Sequence, residues 1–202
     1  MNQSGLLLSS NYLPCIEYLH SCSAANSIII EGHENYLKGS YSNRTHIVSA
    51  AGLLRLSIPL EKGKNQKQRM KDVRISYTEN WQRIHWQSLC SSYNHSPYFQ
   101  FYKDDIEAFY STKPDFLIDW NTQLLQWLIA AFKLNVTINF TSDYTKDYPP
   151  TINDKRNGFS PKINNTNPII YPQVFESAAG FIPNLSSIDL LFNAGAENLP
   201  KK

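Results

Sequence analysis

The N-terminal segment, residues 5–31, carries the pattern that most restricts the fold of this 202-residue chain. A short apolar run, Leu6–Leu8, has the length of a buried strand, and a second run, Ile28–Ile30, repeats it. Between them, Pro14 suits the first turn of a helix, and apolar residues follow it at helical spacing. A strand, a short helix and a second strand make a βαβ unit, in which the strands are parallel and the crossover is right-handed.

The remaining patterns extend this unit into a larger α/β fold. Alternating apolar residues in 44–48 and 53–60 predict a β-hairpin. Apolar residues at three- and four-residue intervals then predict a helical middle region, followed by a strand over 136–140 and a helix that Ser186 caps. We therefore predict an α/β protein with a mixed β-sheet flanked by helices, an N-terminal βαβ unit and a helical middle region. Residues 1–202 are expected to form a single domain.

Residues 141–172 interrupt the regular patterning. They are rich in Asn, Pro, Thr, Ser and Lys, and they contain Pro149-Pro150 and Asn157-Gly158. A stretch of this length without secondary structure is unusual in a small domain and tends to be a lid, a partner contact or a disordered segment. We expect a long irregular loop or lid here.

Charge and hydropathy exclude several classes of protein. The 19 basic and 17 acidic side chains give a formal charge of +2, so we expect no nucleic-acid partner. A basic run over residues 61–71 leaves two interpretations open, a solvated loop or a loop that binds an anion. No apolar run is long enough for a membrane span, and the N-terminus lacks the features of a signal peptide, so we expect a cytoplasmic protein.

Motifs for metals and common cofactors are missing from the sequence. Cys15, Cys22 and Cys90 form no CxxC pair, and no HxxxH or HExxH motif occurs. Buried free thiols are therefore a better interpretation than a zinc site or a disulfide framework. The chain also lacks the glycine-rich phosphate loops of nucleotide-binding proteins. We predict no metal site and no resident cofactor.

Several segments resemble a known family when they are taken in order along the chain. The N-terminal ones read Asn11-Tyr12-Leu13-Pro14-Cys15, Asn43-Arg44-Thr45-His46-Ile47 and Ser96-Pro97-Tyr98-Phe99. The C-terminal ones read Asp154-Lys155-Arg156, Pro161-Lys162, Gly180-Phe181-Ile182-Pro183-Asn184-Leu185-Ser186 and Asp189-Leu190-Leu191-Phe192-Asn193. The ordered set is similar to the WbqC-like protein family, and the resemblance spans residues 5–199.

The resemblance implies a role in surface-polysaccharide biosynthesis, including O-antigen biosynthesis. It also implies a transferase that adds a small group, such as glycine, to a sugar or glycan precursor. The resemblance assigns no catalytic residues, so candidate residues must come from their own chemistry.

The predicted hairpin carries the first candidates. Arg44 and His46 lie two residues apart on one strand and therefore share a face, with Asn43 beside them. Arg44 can hold a phosphate or carboxylate through two hydrogen bonds, and His46 can move a proton near neutral pH. The alternative is an ordinary solvated strand face.

The C-terminal third carries the second group of candidates. Arg156 and Lys162 flank Asn157-Gly158, and this pair could bind the diphosphate of a sugar nucleotide or another anionic small molecule. Asp189 and Asn193 lie four residues apart and share a helix face, where Asp189 could handle a proton or complete a helix cap. A flexible charged loop and a structural cap are the alternatives.

The turn after the first strand is the third candidate position. In open α/β sheets, ligands bind outside the carboxyl ends of the strands, where Asn11 and Tyr12 are expected. The leading hypothesis therefore has His46 and Asp189 as catalytic residues, with Asn11, Tyr12, Asn43, Arg44, Arg156, Lys162 and Asn193 binding the substrate. The competing hypothesis is a non-catalytic partner that docks onto a polysaccharide-biosynthesis enzyme through its aromatic-rich surfaces.

Overall fold

The strands form a parallel sheet and a separate antiparallel hairpin. The structure is a computed structural model that describes residues 5–61, 67–163 and 167–200. The strands, numbered along the chain, are β1 Gly5–Ser9, β2 Ser27–Glu31, β3 Arg44–Ser49, β4 Gly52–Ser57, β5 Thr137–Phe140 and β6 Ile152–Asp154. The first sheet has the order β5-β2-β1-β6, and every pair of neighbours in it is parallel. The α/β class and the combination of parallel and antiparallel strands are confirmed.

The predicted βαβ unit is confirmed. Helix α1, Ile16–Ser23, connects β1 to β2, and Leu7 pairs with Ile29 in the parallel ladder. The helix buries Ile16, Leu19 and Cys22, which recur at helical spacing. This burial explains why a helix of only eight residues is stable here, since isolated helices of that length are marginal in water.

The predicted hairpin is also confirmed. Strands β3 and β4 pair in antiparallel register, with Arg44 opposite Ser57 and His46 opposite Arg55. The turn ends at Gly52, whose φ of +95° is a conformation that glycine adopts without steric cost.

The helical middle region consists of α2 Trp81–Tyr93, α3 Phe99–Tyr110 and α4 Leu117–Ala131. Their apolar stripes meet in an aromatic core, in which the Trp81 and Trp120 rings pack edge to face with centroids 5.4 Å apart. Two shorter helices follow, α5 Glu176–Ala179 and α6 Ser187–Ala194. None of the helices in the described part of the chain has the length and apolar content needed to cross a membrane.

Among its described residues, the segment 141–172 contains one regular element that the sequence patterning did not predict. Residues Ile152–Asp154 form β6 and pair with β1 along the edge of the parallel sheet. The basic run over 61–71 lies partly outside the described residues, because residues 62–66 are not described.

Candidate functional site

The carboxyl ends of three parallel strands place polar residues along one edge of the sheet. Ser9 ends β1, Glu31 ends β2 and Asp154 ends β6, and all three strands run in the same direction. Ligands of open α/β sheets bind at this edge, in the crevice beyond the strand ends. We call this region, with the segments that follow each strand, the sheet-edge cleft.

Three cavities adjoin one another in the sheet-edge cleft. The largest has a volume of about 430 Å³ and is lined by His33, Arg69 and Tyr144 among others. A second, of about 310 Å³, reaches Asp154 and Arg156. The third is narrow and leads towards Ser9, Asn11, Ser40 and Ser42. Glu34 and Asn157 line all three cavities.

Glu34 is the carboxyl group with the most altered acidity in this cleft. Burial is the largest cause, and it raises the pKa of Glu34 to about 7. The nearby negative charges of Glu31 and Asp154 raise it further, whereas a hydrogen bond from the Ser9 hydroxyl and the charge of Arg156 lower it. A carboxyl with this pKa exists in both protonation states near neutral pH, which is the property that acid–base catalysis requires.

Glu31 fixes the floor of the cleft. Its side chain is fully buried, and Oε1 accepts hydrogen bonds of 2.8 Å from the backbone N–H of His33 and from the hydroxyl of Thr141. Oε2 lies 3.4 Å from Nη1 of Arg156. These contacts tie the end of β2 to the residues that follow β5 and β6.

Arg156, a predicted substrate-binding residue, lies in the wall of the cleft with its side chain only 8% exposed. Its guanidinium donates to both carboxylate oxygens of Asp154, to Glu31 and to the backbone carbonyls of Thr145 and Lys146. Every nitrogen of the guanidinium therefore already donates to a group of the protein. The side chain is placed as a clamp that holds the segment after β5 against the strand ends.

Two tyrosines complete this clamp. The Cζ atom of Arg156 lies 5.3 Å from the ring centroid of Tyr144 and 5.1 Å from that of Tyr148. Contacts of a cation with aromatic rings at this distance are favourable. One arginine thus fixes part of the expected irregular segment, because two of its rings and two of its backbone carbonyls contact the same guanidinium as the carboxylates at the strand ends.

Asn11 and Tyr12 follow β1 but occupy different environments. Asn11 lines the narrow cavity, as expected from its position after the strand. Tyr12 is fully buried, and its hydroxyl lies 3.0 Å from Nδ1 of His85 and 2.7 Å from the Tyr110 hydroxyl. The structure therefore brings Asn11 into the cleft and places Tyr12 in the core, which favours a structural role for Tyr12.

The hairpin candidates lie beside the cleft and not among the residues that line it. Arg44 and His46 share a face of β3, as predicted, and the His46 ring packs edge to face on Tyr41 with centroids 5.5 Å apart. Burial lowers the pKa of His46, and the positive charges of Arg44 and Arg55 lower it further. His46 is thus biased towards the neutral form.

Asn43 connects the hairpin to the cleft through Tyr36. Its side-chain amide donates to the carbonyl of Ile58 at 2.8 Å, and its Oδ1 accepts a 2.9 Å hydrogen bond from the hydroxyl of Tyr36, which lines the narrow cavity. This placement favours a supporting role for Asn43, since both the oxygen and the nitrogen of its side-chain amide form hydrogen bonds within the protein.

Asp189 lies in the interior, away from the three cavities. It is fully buried, and its two oxygens each accept a 2.6 Å hydrogen bond, one from the Tyr93 hydroxyl and one from the Tyr171 hydroxyl. Burial raises the pKa of Asp189, while these hydrogen bonds oppose the shift. Both carboxylate oxygens are thus engaged within the protein.

Asn193 belongs to the same interior region, because it accepts a 2.9 Å hydrogen bond from the hydroxyl of Ser96. Lys162 is exposed on the protein surface. The predicted residues therefore do not meet in one hollow: Asn11 and Arg156 lie at the cleft, Arg44 and His46 on the hairpin, and Asp189 and Asn193 in the core.

Sequence reasoning missed Glu34 and Asn157. A signal for Glu34 was available, because Glu31 ends the predicted second strand and Glu34 follows three residues later, where an open α/β sheet binds its ligands. Asn157 carries no comparable signal in the sequence, and its backbone adopts the left-handed conformation with a φ of +58°. In the described residues, no group of three His, Cys, Asp or Glu side chains is arranged to hold a metal ion.

The segments that carry the family resemblance are joined to one another near Leu13. The Leu13 carbonyl accepts hydrogen bonds from the hydroxyls of Thr45 and Ser186, at 2.8 and 2.9 Å. The Ser186 N–H donates to the carbonyl of His46 at 2.8 Å. These segments therefore form a packing junction between α1, β3 and α6.

Residues 9–154 match the model of the WbqC-like protein family. This chain belongs to that family. The matched range includes Asn11, Glu34, Arg44 and His46, and it ends before Arg156.

One curated relative is an uncharacterised protein, Rv1507c, from Mycobacterium tuberculosis (strain ATCC 25618 / H37Rv), which is 26% identical over 93 residues. That match covers 46% of this WbqC-like chain and 40% of the relative, so the chain spans less than half the length of that protein. No solved structure matches the chain significantly.

Proposed function

We propose that this WbqC-like protein transfers a small group, such as glycine, to a sugar or glycan precursor during surface-polysaccharide biosynthesis of the O-antigen type. The observation that carries the proposal is the sheet-edge cleft, in which cavities meet at the carboxyl ends of parallel strands and share the lining residue Glu34. The group-transfer chemistry itself comes from the family resemblance.

The lining of the cleft suits a ligand rich in hydroxyl groups. Amide side chains of Asn11, Asn35 and Asn157 can donate and accept hydrogen bonds, and the serine hydroxyls at the narrow end can do the same. Tyr36 and Phe159 add aromatic surface beside these polar groups. A small number of polar groups within a partly apolar cavity is the usual composition of a small-molecule site.

Charge in the cleft bears on how an anionic acceptor, such as a sugar nucleotide, would lie. Glu34 and Asp154 line the second cavity, of about 310 Å³, and the positive charge of Arg156 is already paired with Asp154 and Glu31. Arg69 lines the largest cavity and is half exposed. In our proposal, the phosphates of a sugar nucleotide lie towards Arg69, and the neutral sugar lies towards Glu34.

A deletion and complementation experiment tests the proposal. The gene is deleted in its host, and the substituents of the surface polysaccharide are measured by mass spectrometry. We expect one substituent to be lost on deletion and restored by the wild-type gene. An unchanged polysaccharide after deletion would contradict the proposal.

A cavity-filling variant shows whether the cleft is the site. Asn35→Trp places a large ring at an exposed position that lines two of the cavities, and Asn94→Trp makes the same change at an exposed position after α2. Purified proteins are titrated calorimetrically with UDP-sugars. We expect binding to the wild type and to Asn94→Trp, and at least about a tenfold weaker binding to Asn35→Trp, the loss that about 1.4 kcal/mol produces.

The same variants separate the catalytic proposal from a non-catalytic one. If deletion removes the substituent but Asn35→Trp restores it fully, the cleft is not used. The protein would then support a biosynthetic enzyme by docking onto it.

A further inference from the structure

Glu34 occupies a rigid position although it lies outside regular secondary structure. Its backbone carbonyl accepts a 2.8 Å hydrogen bond from the N–H of Met70, and the neighbouring Gly32 carbonyl accepts one of 2.9 Å from Lys71. On the other side, the Tyr36 N–H donates to the carbonyl of Gln68 at 2.8 Å. The segment that carries Glu34 is thus held by three backbone hydrogen bonds to the segment 68–71.

The Glu34 carboxyl is also oriented by its surroundings. The Ser9 hydroxyl, at the end of β1, donates a hydrogen bond to it. The same Ser9 oxygen accepts a hydrogen bond from the N–H of Asn157 at 3.3 Å. A carboxyl held in this way keeps a fixed direction relative to the cavities that it lines, which is the geometric requirement for proton transfer to a bound molecule.

The charges that face Glu34 come from several elements. Glu31 lies at the end of β2, Asp154 at the end of β6, and Arg156 just after it. The ion pairs of Arg156 join it to Glu31 at 3.4 Å and to Asp154 at 2.6 Å. His33, Arg69 and Tyr144 line the same large cavity as Glu34.

Three carboxyl groups therefore lie near the guanidinium of Arg156. Glu31 and Asp154 form ion pairs with it, and Glu34 is influenced by its charge without pairing with it. Burial and the negative charges of Glu31 and Asp154 favour the protonated form of Glu34, which has a pKa of about 7. Glu34 lines all three cavities and can exchange a proton near neutral pH, whereas the carboxylates of Glu31 and Asp154 are engaged in the ion pairs that position Arg156.

We propose that Glu34 is the catalytic base of the sheet-edge cleft and takes a proton from the acceptor's hydroxyl or amine group, an inference that rests on the transfer function proposed above. The O–H or N–H bond of the acceptor breaks, its proton passes to the Glu34 carboxylate, and its electron pair forms the bond to the transferred group. The bond between that group and its carrier breaks with the electron pair on the carrier. Glu34 then returns the proton to the departing carrier or to water.

This assignment moves the proton-transfer role away from both residues predicted for it. Asp189 has both oxygens engaged by tyrosine hydroxyls, and His46 packs against Tyr41 outside the residues that line the cavities. Glu34 combines a fixed carboxyl with direct access to the cavities.

Complementation with matched variants tests the proposal. Cells that lack the gene receive wild type, Glu34→Gln, Glu34→Asp or Glu107→Gln, where Glu107 is an exposed glutamate on α3. Substituent formation is measured as an initial rate after induction, and soluble protein and thermal unfolding are measured in parallel. We expect Glu34→Gln to lower the rate at least about 100-fold, because a general base contributes about that factor or more.

Each outcome decides between the two proposals. Glu107→Gln should match the wild type, and Glu34→Asp should retain part of the rate because it keeps a carboxyl on a shorter side chain. A wild-type rate from folded Glu34→Gln would overturn the role of Glu34 and leave the transferase proposal standing. If deletion itself leaves the polysaccharide unchanged, the transferase proposal fails, and the transfer step assigned to Glu34 fails with it. If Glu34→Gln does not fold, Glu34→Ala takes its place, and a wild-type rate from folded Glu34→Ala would overturn the role of Glu34.

Discussion

Glu34 and Asp189 are carboxyl groups in two regions of this protein, and the two regions differ in whether a solute can reach the carboxyl. At the sheet edge, Glu34 borders open cavities and lies near two other carboxyls that share Arg156. In the core, Asp189 is enclosed and receives one tyrosine hydroxyl on each oxygen. Burial raises the pKa in both places, but a solute can reach only the carboxyl that borders a cavity. An altered pKa therefore indicates a functional site only where the group is accessible.

The largest expected effect concerns Asp189 and tests whether its buried hydrogen bonds stabilise the fold. Asp189→Ala leaves the Tyr93 and Tyr171 hydroxyls without their acceptor in a fully buried position. We expect the free energy of unfolding, measured by urea denaturation, to fall by about 3–5 kcal/mol. The matched control is Asp119→Ala, since Asp119 lies in the first turn of α4 as Asp189 does in α6, but is exposed.

Asp119→Ala should cost much less, because an exposed first-turn carboxylate interacts only weakly with the helix dipole. Equal losses in the two variants would contradict a structural role for the buried network.

The second prediction concerns the clamp at the sheet edge. Arg156→Met removes the cation paired with the fully buried Glu31 and frees the segment that contains Tyr144 and Tyr148. We expect a loss of about 2–4 kcal/mol in unfolding free energy, because an uncompensated buried charge is costly. Arg74→Met is the control: Arg74 is 45% exposed and pairs with Asp115 at 3.6 Å.

Exposed pairs of this kind contribute about 1 kcal/mol or less. A loss for Arg156→Met no larger than for Arg74→Met would show that the clamp does not hold the cleft together.

The third prediction is a pH dependence that belongs to Glu34. Its folded-state pKa of about 7 lies above the ordinary value of 4.5, so the folded protein binds the proton more tightly than the unfolded chain. The wild type should therefore lose stability as the pH rises between these values, and Glu34→Gln should escape that loss. From pH 4 to pH 8, the difference in unfolding free energy between Glu34→Gln and the wild type should therefore change by about 2–3 kcal/mol in favour of the variant. Urea denaturation across this range measures the shift, and a shift of the same size in Glu107→Gln would refute its assignment to Glu34.

The smallest expected effect concerns Tyr12, which the sequence placed at the cleft and the structure places in the core. Tyr12→Phe removes a buried hydroxyl that contacts His85 and Tyr110. We expect a loss of about 1 kcal/mol in unfolding free energy and no change in UDP-sugar binding. Tyr98→Phe, which removes a 3.3 Å exposed hydrogen bond to Glu197, should cost less. Weaker UDP-sugar binding by folded Tyr12→Phe would restore Tyr12 to the ligand site.

Local periodicity predicted the elements whose pattern is complete within a few residues. The β1-α1-β2 unit, the β3–β4 hairpin and the helices of the middle region all follow from apolar spacing. Strand β6 was missed because it has three residues, and its pairing with β1 joins positions far apart in sequence.

The candidate site was predictable only in its location. The carboxyl edge of the parallel strands was the right place to expect polar residues, and Asn11 and Arg156 lie there. The roles were not predictable, because they depend on which partners the fold brings to each side chain. Arg156 is a strong anion-binding candidate in sequence, yet its donors are engaged by groups from three segments of the chain.

The Glu34 carboxyl can be titrated directly by ¹³C NMR of the intact protein, with Glu34→Gln used to assign its resonance. We predict a glutamate carboxyl with a pKa near 7, whose resonance shifts when a UDP-sugar that binds the wild type is added. A pKa at the ordinary value of 4.5, with no response to the bound sugar nucleotide, would contradict the assignment of Glu34 as the proton-exchanging carboxyl of the sheet-edge cleft.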